Sequence, residues 1–266
     1  MLTPGEMTAL TDPGAKPDPE FIKKAYWSYP EEETKRFRKQ YLDFIDDRDT
    51  DEIQIFYIPN YSCNFRCSYC YQSGYTNTRM KFDPEVVDRF FEHIQNSFAG
   101  RKYYITLFGG EPLLPGKNSR LFLSYFTDKC RERKIGLALV TNGYYLEEYL
   151  PLFSGIAIRE IQVTLDGTEK IHNNRRPLKN GEGTFWKIVK GIDVALQQNL
   201  PVNLRMVTDR ENIHELPELS RFAIERGWTV NPLFKTQIGR NYELHFCHDR
   251  ARNCIPGSGS IVTSIR

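Results

Sequence analysis

The chain has 266 residues, of which 40% are apolar, 13% aromatic and 26% charged. That is enough material for a large buried core and too aromatic for a disordered chain. A net charge of +2 argues against a membrane-recruiting field or an extended nucleic-acid footprint.

The opening "MLTPGEMTAL" lacks the basic-then-apolar pattern of a secretory signal, and no apolar run approaches the ~20 residues that span a bilayer. A cytoplasmic location is therefore expected, where clustered cysteines serve metal binding or catalysis rather than disulfides. Residues 1–17 hold three prolines and two glycines and read as a flexible leader. Two short helical segments are expected from residue 18, interrupted at Pro30; the second puts Phe37, Tyr41, Phe44 and Ile45 on one face. "DDRDTDE" (46–52) reads as an acidic linker, so residues 1–50 form a leader and helical extension.

A regular alternation follows. "IQIFYI" (53–58) is an apolar strand, and "DPEVVDRFFEHIQNSF" (83–98) is a helix with Asp83 as N-cap and Pro84 at its first position. Val87, Phe90, Phe91, Ile94 and Phe98 recur on it at helical spacing. Strand "YYITLF" (103–108), helix "SRLFLSYFTDKCRERK" (119–134) and strand "GLALVT" (136–141) come next, then a short helix near 145–150 and strand "IREIQVTL" (158–165). Helix "TFWKIVKGIDVALQQ" (184–198) and strand "PVNLRMVT" (201–208) lead to "NIHELPELSRFAIERG" (212–227). This last helix opens on Asn212 and Glu215 as a capping pair and closes on Gly227. "WTVNPLF" (228–234) is the sixth expected strand. Six such units predict an α/β fold with a parallel sheet and right-handed crossovers, either doubly wound or an incomplete barrel.

The stretch "PNYSCNFRCSYCYQSG" (59–74) places Cys63, Cys67 and Cys70 within eight residues. A structural zinc site needs four closed ligands. A cubane iron–sulfur cluster needs one ligand per iron, and three thiolates leave one iron open for a substrate or cofactor. Spacing alone favours an iron–sulfur site over zinc or no metal.

With Tyr69 directly before Cys70, the pattern C-x3-C-x-Tyr-C resembles the radical S-adenosylmethionine (radical SAM) enzymes. The resemblance implies a partial (β/α)6 barrel of the TIM type over residues 51–235. It also implies a [4Fe–4S] cluster on Cys63, Cys67 and Cys70, S-adenosyl-L-methionine chelated at the open iron, and Tyr69 near the adenine. "FGGEPLL" (108–114) resembles the family's Gly-Gly-Glu motif, which would put Gly109, Gly110 and Glu111 at the cofactor's amino group. "TNG" (141–143) and "TLDG" (164–167) end two further strands and nominate Asn142, Thr164 and Asp166 around the ribose and carboxylate. Arg205, inside a strand, is a candidate cation for that carboxylate.

Leu165-Asp166-Gly167, Ile171-His172, Arg176, Gly183 and Phe185 resemble the subgroup of anaerobic sulfatase-maturating and peptide-modifying enzymes. That likeness implies a peptide or protein substrate and a low-potential electron donor of the flavodoxin or ferredoxin kind. Residues 236–266 look like the start of the subgroup's C-terminal SPASM domain, but Cys247 and Cys254 are too few for an auxiliary cluster, so the tail reads as short and irregular. Two alternatives stand beside this reading: a silent cofactor- or peptide-binding relative, and a radical enzyme acting on a nucleic acid or small molecule. No residue is assigned as catalytic acid or base, and Cys130 is expected to be a buried helix residue.

Overall fold

The computed structural model describes residues 30–50, 52–75 and 81–241. The expected leader, the first helical segment and the tail with Cys247 and Cys254 lie outside the described residues. The chain forms two units, Met1–Asp51 and Glu52–Arg266.

In the first unit, α1 (Pro30–Thr50) starts at the proline expected to interrupt the helix, with Glu31, Glu32 and Glu33 in its first turn. Proline suits the first helical position, and acidic residues there complement the helix dipole. Residues 46–50, expected as a linker, continue the helix. Phe37 and Tyr41 stack at 6.4 Å, and both rings are exposed.

The second unit winds in one direction. Its strands are β1 (Ile53–Tyr57), β2 (Tyr103–Leu107), β3 (Gly136–Thr141), β4 (Ile158–Thr164), β5 (Val202–Thr208) and β6 (Phe234–Arg240). They lie in one parallel sheet in sequence order, β1 to β6. A doubly wound sheet would reverse its order partway, so this is the partial barrel, left open with β1 and β6 as its edges. Between strands run α2 (Pro84–Ser97), α3 (Lys117–Glu132), α4 (Leu146–Tyr149), α5 (Glu169–Arg175), α6 (Phe185–Gln197) and α7 (Leu216–Glu225).

The two-residue period of the strands divides the sheet's faces. Ile105, Leu107, Leu137, Leu139, Ile161, Val163 and Leu204 are buried toward the helices. They meet Val87, Phe91 and Ile94 of α2, Phe122, Leu123 and Phe126 of α3, and Ile188 and Ile192 of α6 in one core. Cys130 is fully buried within it. The alternate residues, among them Gln54, Thr106, Gln162 and Arg205, pair across the other face: Gln54 Nε2 donates to Thr106 Oγ1 at 2.8 Å, and Gln162 Nε2 to Gln237 Oε1 at 2.7 Å.

Asp83 caps α2 as expected, its carboxylate accepting from Glu85 N at 3.0 Å. Two other expectations give way. Residues Trp228–Val230 form a 3-10 turn instead of a strand, because Gly227 at φ 73° ends α7 and Trp228 drops into the core against Phe222 and Phe234. The sixth strand starts only at Phe234, so residue 235 lies within it. Asn212 and Glu215 are no capping pair either: Ile213–Glu215 is a 3-10 turn with no side-chain cap. Asn212 Oδ1 instead accepts from Asp209 N, while its Nδ2 donates to Asp166 O and Val207 O, both at 2.9 Å. Glu215 accepts from Thr168 N and Thr168 Oγ1. Both side chains tie the β4 and β5 ends together.

Candidate cofactor site

The cysteine loop leaves β1 and is held on two sides. Asn60 Oδ1 accepts from Ser62 N at 2.7 Å, shaping the turn before Cys63. On one side the Gly-Gly-Glu turn after β2 lies against its backbone, with Gly110 N donating to Asn60 O and Glu111 N to Ser62 O at 2.8 Å. On the other side the segment after α5 runs antiparallel to it. Arg66 N donates to Pro177 O, Ser68 N to Arg175 O and Lys179 N to Asn64 O. A bridge pairs Phe65 with Leu178.

Clamped in this way, the loop presents Cys63, Cys67 and Cys70 to a cavity of ≈ 300 Å³ at the C-terminal ends of the strands. The same cavity is lined by Tyr69, Gly109, Gly110, Asn142, Thr164 and Arg205. Nine of the eleven residues nominated from sequence thus share one hollow, at the face where parallel barrels build their sites.

The other two sit behind it. Glu111 is 1% exposed, and its oxygens accept from Leu113 N at 2.8 Å, Thr141 Oγ1 at 2.6 Å and Asn142 N at 2.6 Å. Burial raises its carboxyl above the usual range, and those three donors oppose the rise. Asp166 is fully buried, with Oδ1 accepting from Val207 N at 3.0 Å and Oδ2 3.5 Å from Arg175 Nε.

The motif resemblance between residues 165 and 185 resolves into a hydrogen-bonded latch. Asp166 N donates to His172 Nδ1 at 3.2 Å, which leaves the proton of a neutral ring on Nε2, 3.0 Å from Thr184 Oγ1. Thr184 Oγ1 in turn donates to Arg176 O at 2.8 Å. Gly183 lies where a Cβ would come within 2.6 Å of Asn173 Nδ2, and Phe185 is core. His172 therefore supports the loop and does not border the cavity.

The donor set fits a thiolate-held cluster. Among the described residues no three His, Cys, Asp or Glu side chains converge on a single ion, whereas a cubane spreads its ligands over separate irons. Burial pushes the Cys63 thiol up to about 12, with Glu111 adding to it, and burial also raises Cys67 against the pull of Arg176. Without metal these thiols hold their protons, and binding would release them. Asn142 Nδ2 points at Cys63 Sγ from 3.7 Å, and Phe65 N from 3.4 Å.

Sequence reasoning passed over Thr141, which fixes Glu111, and Gln162, which lines the cavity. Gln162 was findable: it stands two residues before Thr164 in a strand, hence on the same face.

A model of the radical SAM superfamily matches residues 57–223. A GTP 3′,8-cyclase of Nautilia profundicola is 30% identical over 173 residues, covering 63% of this chain and 51% of that protein. One from Rhizobium etli is 32% identical over 183 residues, covering 66% and 50%. The chain spans about half the length of the curated relatives it matches. Among solved structures, anSMEcpe with bound AdoMet superposes with a TM-score of 0.59 at 21% identity, covering 71% of this chain and 52% of that one. Streptococcus suis SuiB bound to S-adenosylmethionine superposes at 0.56 with 13% identity, covering 85% and 50%. These two likenesses bear on the fold. With its cysteine loop, strand-end cavity and family match in register, the chain belongs to the radical SAM superfamily, whose cofactors are a [4Fe–4S] cluster and S-adenosylmethionine.

Proposed function

We propose that this chain is the radical-generating core of an enzyme that modifies a peptide or protein side chain. Cys63, Cys67 and Cys70 hold the cluster, and Tyr69, Gly109, Gly110, Asn142, Thr164 and Arg205 border the S-adenosylmethionine beside it. Bound there, these cofactors would supply radical chemistry: one electron from a low-potential donor would break the S–C5′ bond of S-adenosylmethionine, releasing methionine and a 5′-deoxyadenosyl radical able to take a hydrogen atom from the substrate. The observation that carries this reading is the convergence of three thiols and those six residues on one cavity at the strand ends.

The protein's own part is to orient and to shield. Glu111 has about four acceptor sites, three of them taken by Leu113, Thr141 and Asn142. From behind the cavity it fixes the turn that carries Asn142. Asp166 fixes the β5 backbone at Val207. The thiol set suits a reducing, cytoplasmic setting.

A peptide substrate is supported by the concave face below the cofactor site. A second cavity of ≈ 380 Å³ shares Phe108, Val140, Gln162 and Arg205 with the first. Its amides and hydroxyls at Gln54, Thr106 and Gln162 suit the donors and acceptors of a peptide backbone. A second reading, a small-molecule substrate, is favoured by the curated relatives named GTP 3′,8-cyclase. No helix among the described residues is long and apolar enough to cross a membrane.

The test is anaerobic reconstitution with iron and sulfide, then dithionite and S-adenosylmethionine, with 5′-deoxyadenosine as readout. Wild type is expected to form it and Cys67→Ala to form none; a loaded cluster without product would favour a silent binding relative. Stimulation by added peptide supports the first reading, and stimulation by GTP the second.

A further inference from the structure

Two arginines stand side by side at the end of α5, and both are buried, but their charges are met differently. Arg175 is forked onto Asp209, with Nη2 to Oδ2 at 2.8 Å and Nη1 to Oδ1 at 3.2 Å, and its Nε faces Asp166 at 3.5 Å. Arg176 is 8% exposed and has no carboxylate within ion-pairing distance among the described residues. Its Nη1 donates to the neutral phenol of Tyr69 at 2.5 Å, and its Nε is buried without any hydrogen-bond partner. The guanidinium carbon lies 5.8 Å from the Phe65 ring and 5.9 Å from the Tyr69 ring, both in the cysteine loop, and the residue lines the cavity of the three thiols.

A buried guanidinium cannot shed its proton, so it needs an anion. Among the described residues the carboxylates of Asp166 and Glu111 act on it only from beyond ion-pairing distance, whereas the group expected in the cavity brings negative charge to the wall that Arg176 lines. Three thiolates on a [4Fe–4S]2+ core give one net negative charge, and a second on one-electron reduction.

We propose that Arg176 is the counter-charge of the thiolate-held cluster, favouring its reduced form and so setting its reduction potential. The inference rests on the cluster reading above and assigns Arg176 to the cluster, while Arg205 remains the candidate for the cofactor carboxylate. Net charge around a cluster is one of the levers by which a protein sets its potential. Arg176 lines the same cavity as Cys63, Cys67 and Cys70. The residue's backbone is anchored apart from its side chain, with N donating to His172 O and O accepting from Thr184 Oγ1. Substituting the side chain therefore leaves the latch in place.

The experiment reconstitutes wild type, Arg176→Lys, Arg176→Gln and Arg176→Met, and titrates the cluster electrochemically without S-adenosylmethionine, following the reduced form by electron paramagnetic resonance. At the wild-type midpoint, the ratio of reduced to oxidised cluster is expected to fall about tenfold or more in the neutral variants. That corresponds to a shift of about 59 mV toward negative potential. Arg176→Lys, which keeps the charge, is expected to stay near wild type. A neutral variant that loads its cluster and titrates like wild type overturns the proposal. Neutral variants that fold by circular dichroism but load no cluster, while lysine loads, support it; failure of lysine to load as well overturns it. If both neutral variants fail to fold while lysine folds, the charge serves the metal-free fold and the proposal falls. A wild type that takes no cluster fails earlier, at the cluster reading itself.

Discussion

Gly110 has no room for a side chain. A Cβ there would lie 2.2 Å from Ser62 O and 2.5 Å from the Tyr61 carbonyl carbon, and backbone cannot step aside as a flexible side chain does. Gly109 sits at φ 131° with Asn60 O 2.8 Å from its would-be Cβ. The Gly-Gly pair was legible as a place of close approach, but a sequence does not say what approaches. Here the near neighbour is the cysteine loop's own backbone, so the glycines set the height of the thiols. Gly110→Ala is expected to destabilise the fold by about 1–3 kcal/mol through overpacking and to impair cluster loading. Gly74→Ala, where nothing lies within 4 Å, is expected to stay within about 0.5 kcal/mol of wild type. Urea unfolding midpoints and iron content per chain check the pair. Equal midpoints would show that the loop yields.

Elements were legible where one face is buried and the other wet. Val87, Phe91 and Ile94 of α2 and the inward residues of α6 follow the helical period, and both helices form where the period places them. β6 escaped because "FKTQIGR" is an edge strand whose residues are mostly half-buried or exposed, so it carries no apolar stripe. Asn212 escaped because an Asn before a helix reads as a cap, whereas the structure uses it across chain segments. The latch of α5 shows the same thing with a titratable group. His172 is fully buried and neutral; burial, with Arg176 and Arg175 adding, holds its ring well below the usual imidazole range. The unfolded ring binds a proton below about pH 6.5 and the folded ring does not. Its contribution to stability is thus full above about pH 6.5 and is lost as pH falls below it, with a slope of up to about 1.4 kcal/mol per pH unit. His172→Gln removes that slope but loses about 1–3 kcal/mol at pH 7, because a buried partner goes unmet. Chemical denaturation between pH 7.5 and 5 reads both effects, and equal slopes in the two proteins would place the acid sensitivity elsewhere.

At the scale of the whole molecule, the fold leaves in and behind its cofactor hollow groups that packing alone does not satisfy. Asn64 Nδ2, Asp166 Oδ2 and Arg176 Nε are buried without hydrogen-bond partners around the cysteine loop, and half-buried thiols share the hollow with the buried Arg176 cation. The alternation of strands and helices made the barrel readable, and four motifs at four successive strand ends made the hollow readable. The electrostatic balance was not, because it depends on which buried charge lies within reach of which other. Such a site stores stability that only ligand binding releases, since a ligand held by the folded state alone stabilises it by mass action. At one hundred times its dissociation constant the gain is about 2.7 kcal/mol, and for a unit of this size each kcal/mol moves the melting temperature by about 2–4 °C. Anaerobic reconstitution with iron and sulfide is therefore expected to raise the melting temperature of wild type by about 5–10 °C. An iron chelator is expected to reverse the rise, and Cys67→Ala to show none. Differential scanning calorimetry under argon measures all three. A melting temperature indifferent to iron in the wild type, with cluster bound by iron and sulfide analysis, would mean that the hollow is already at rest without its cofactors.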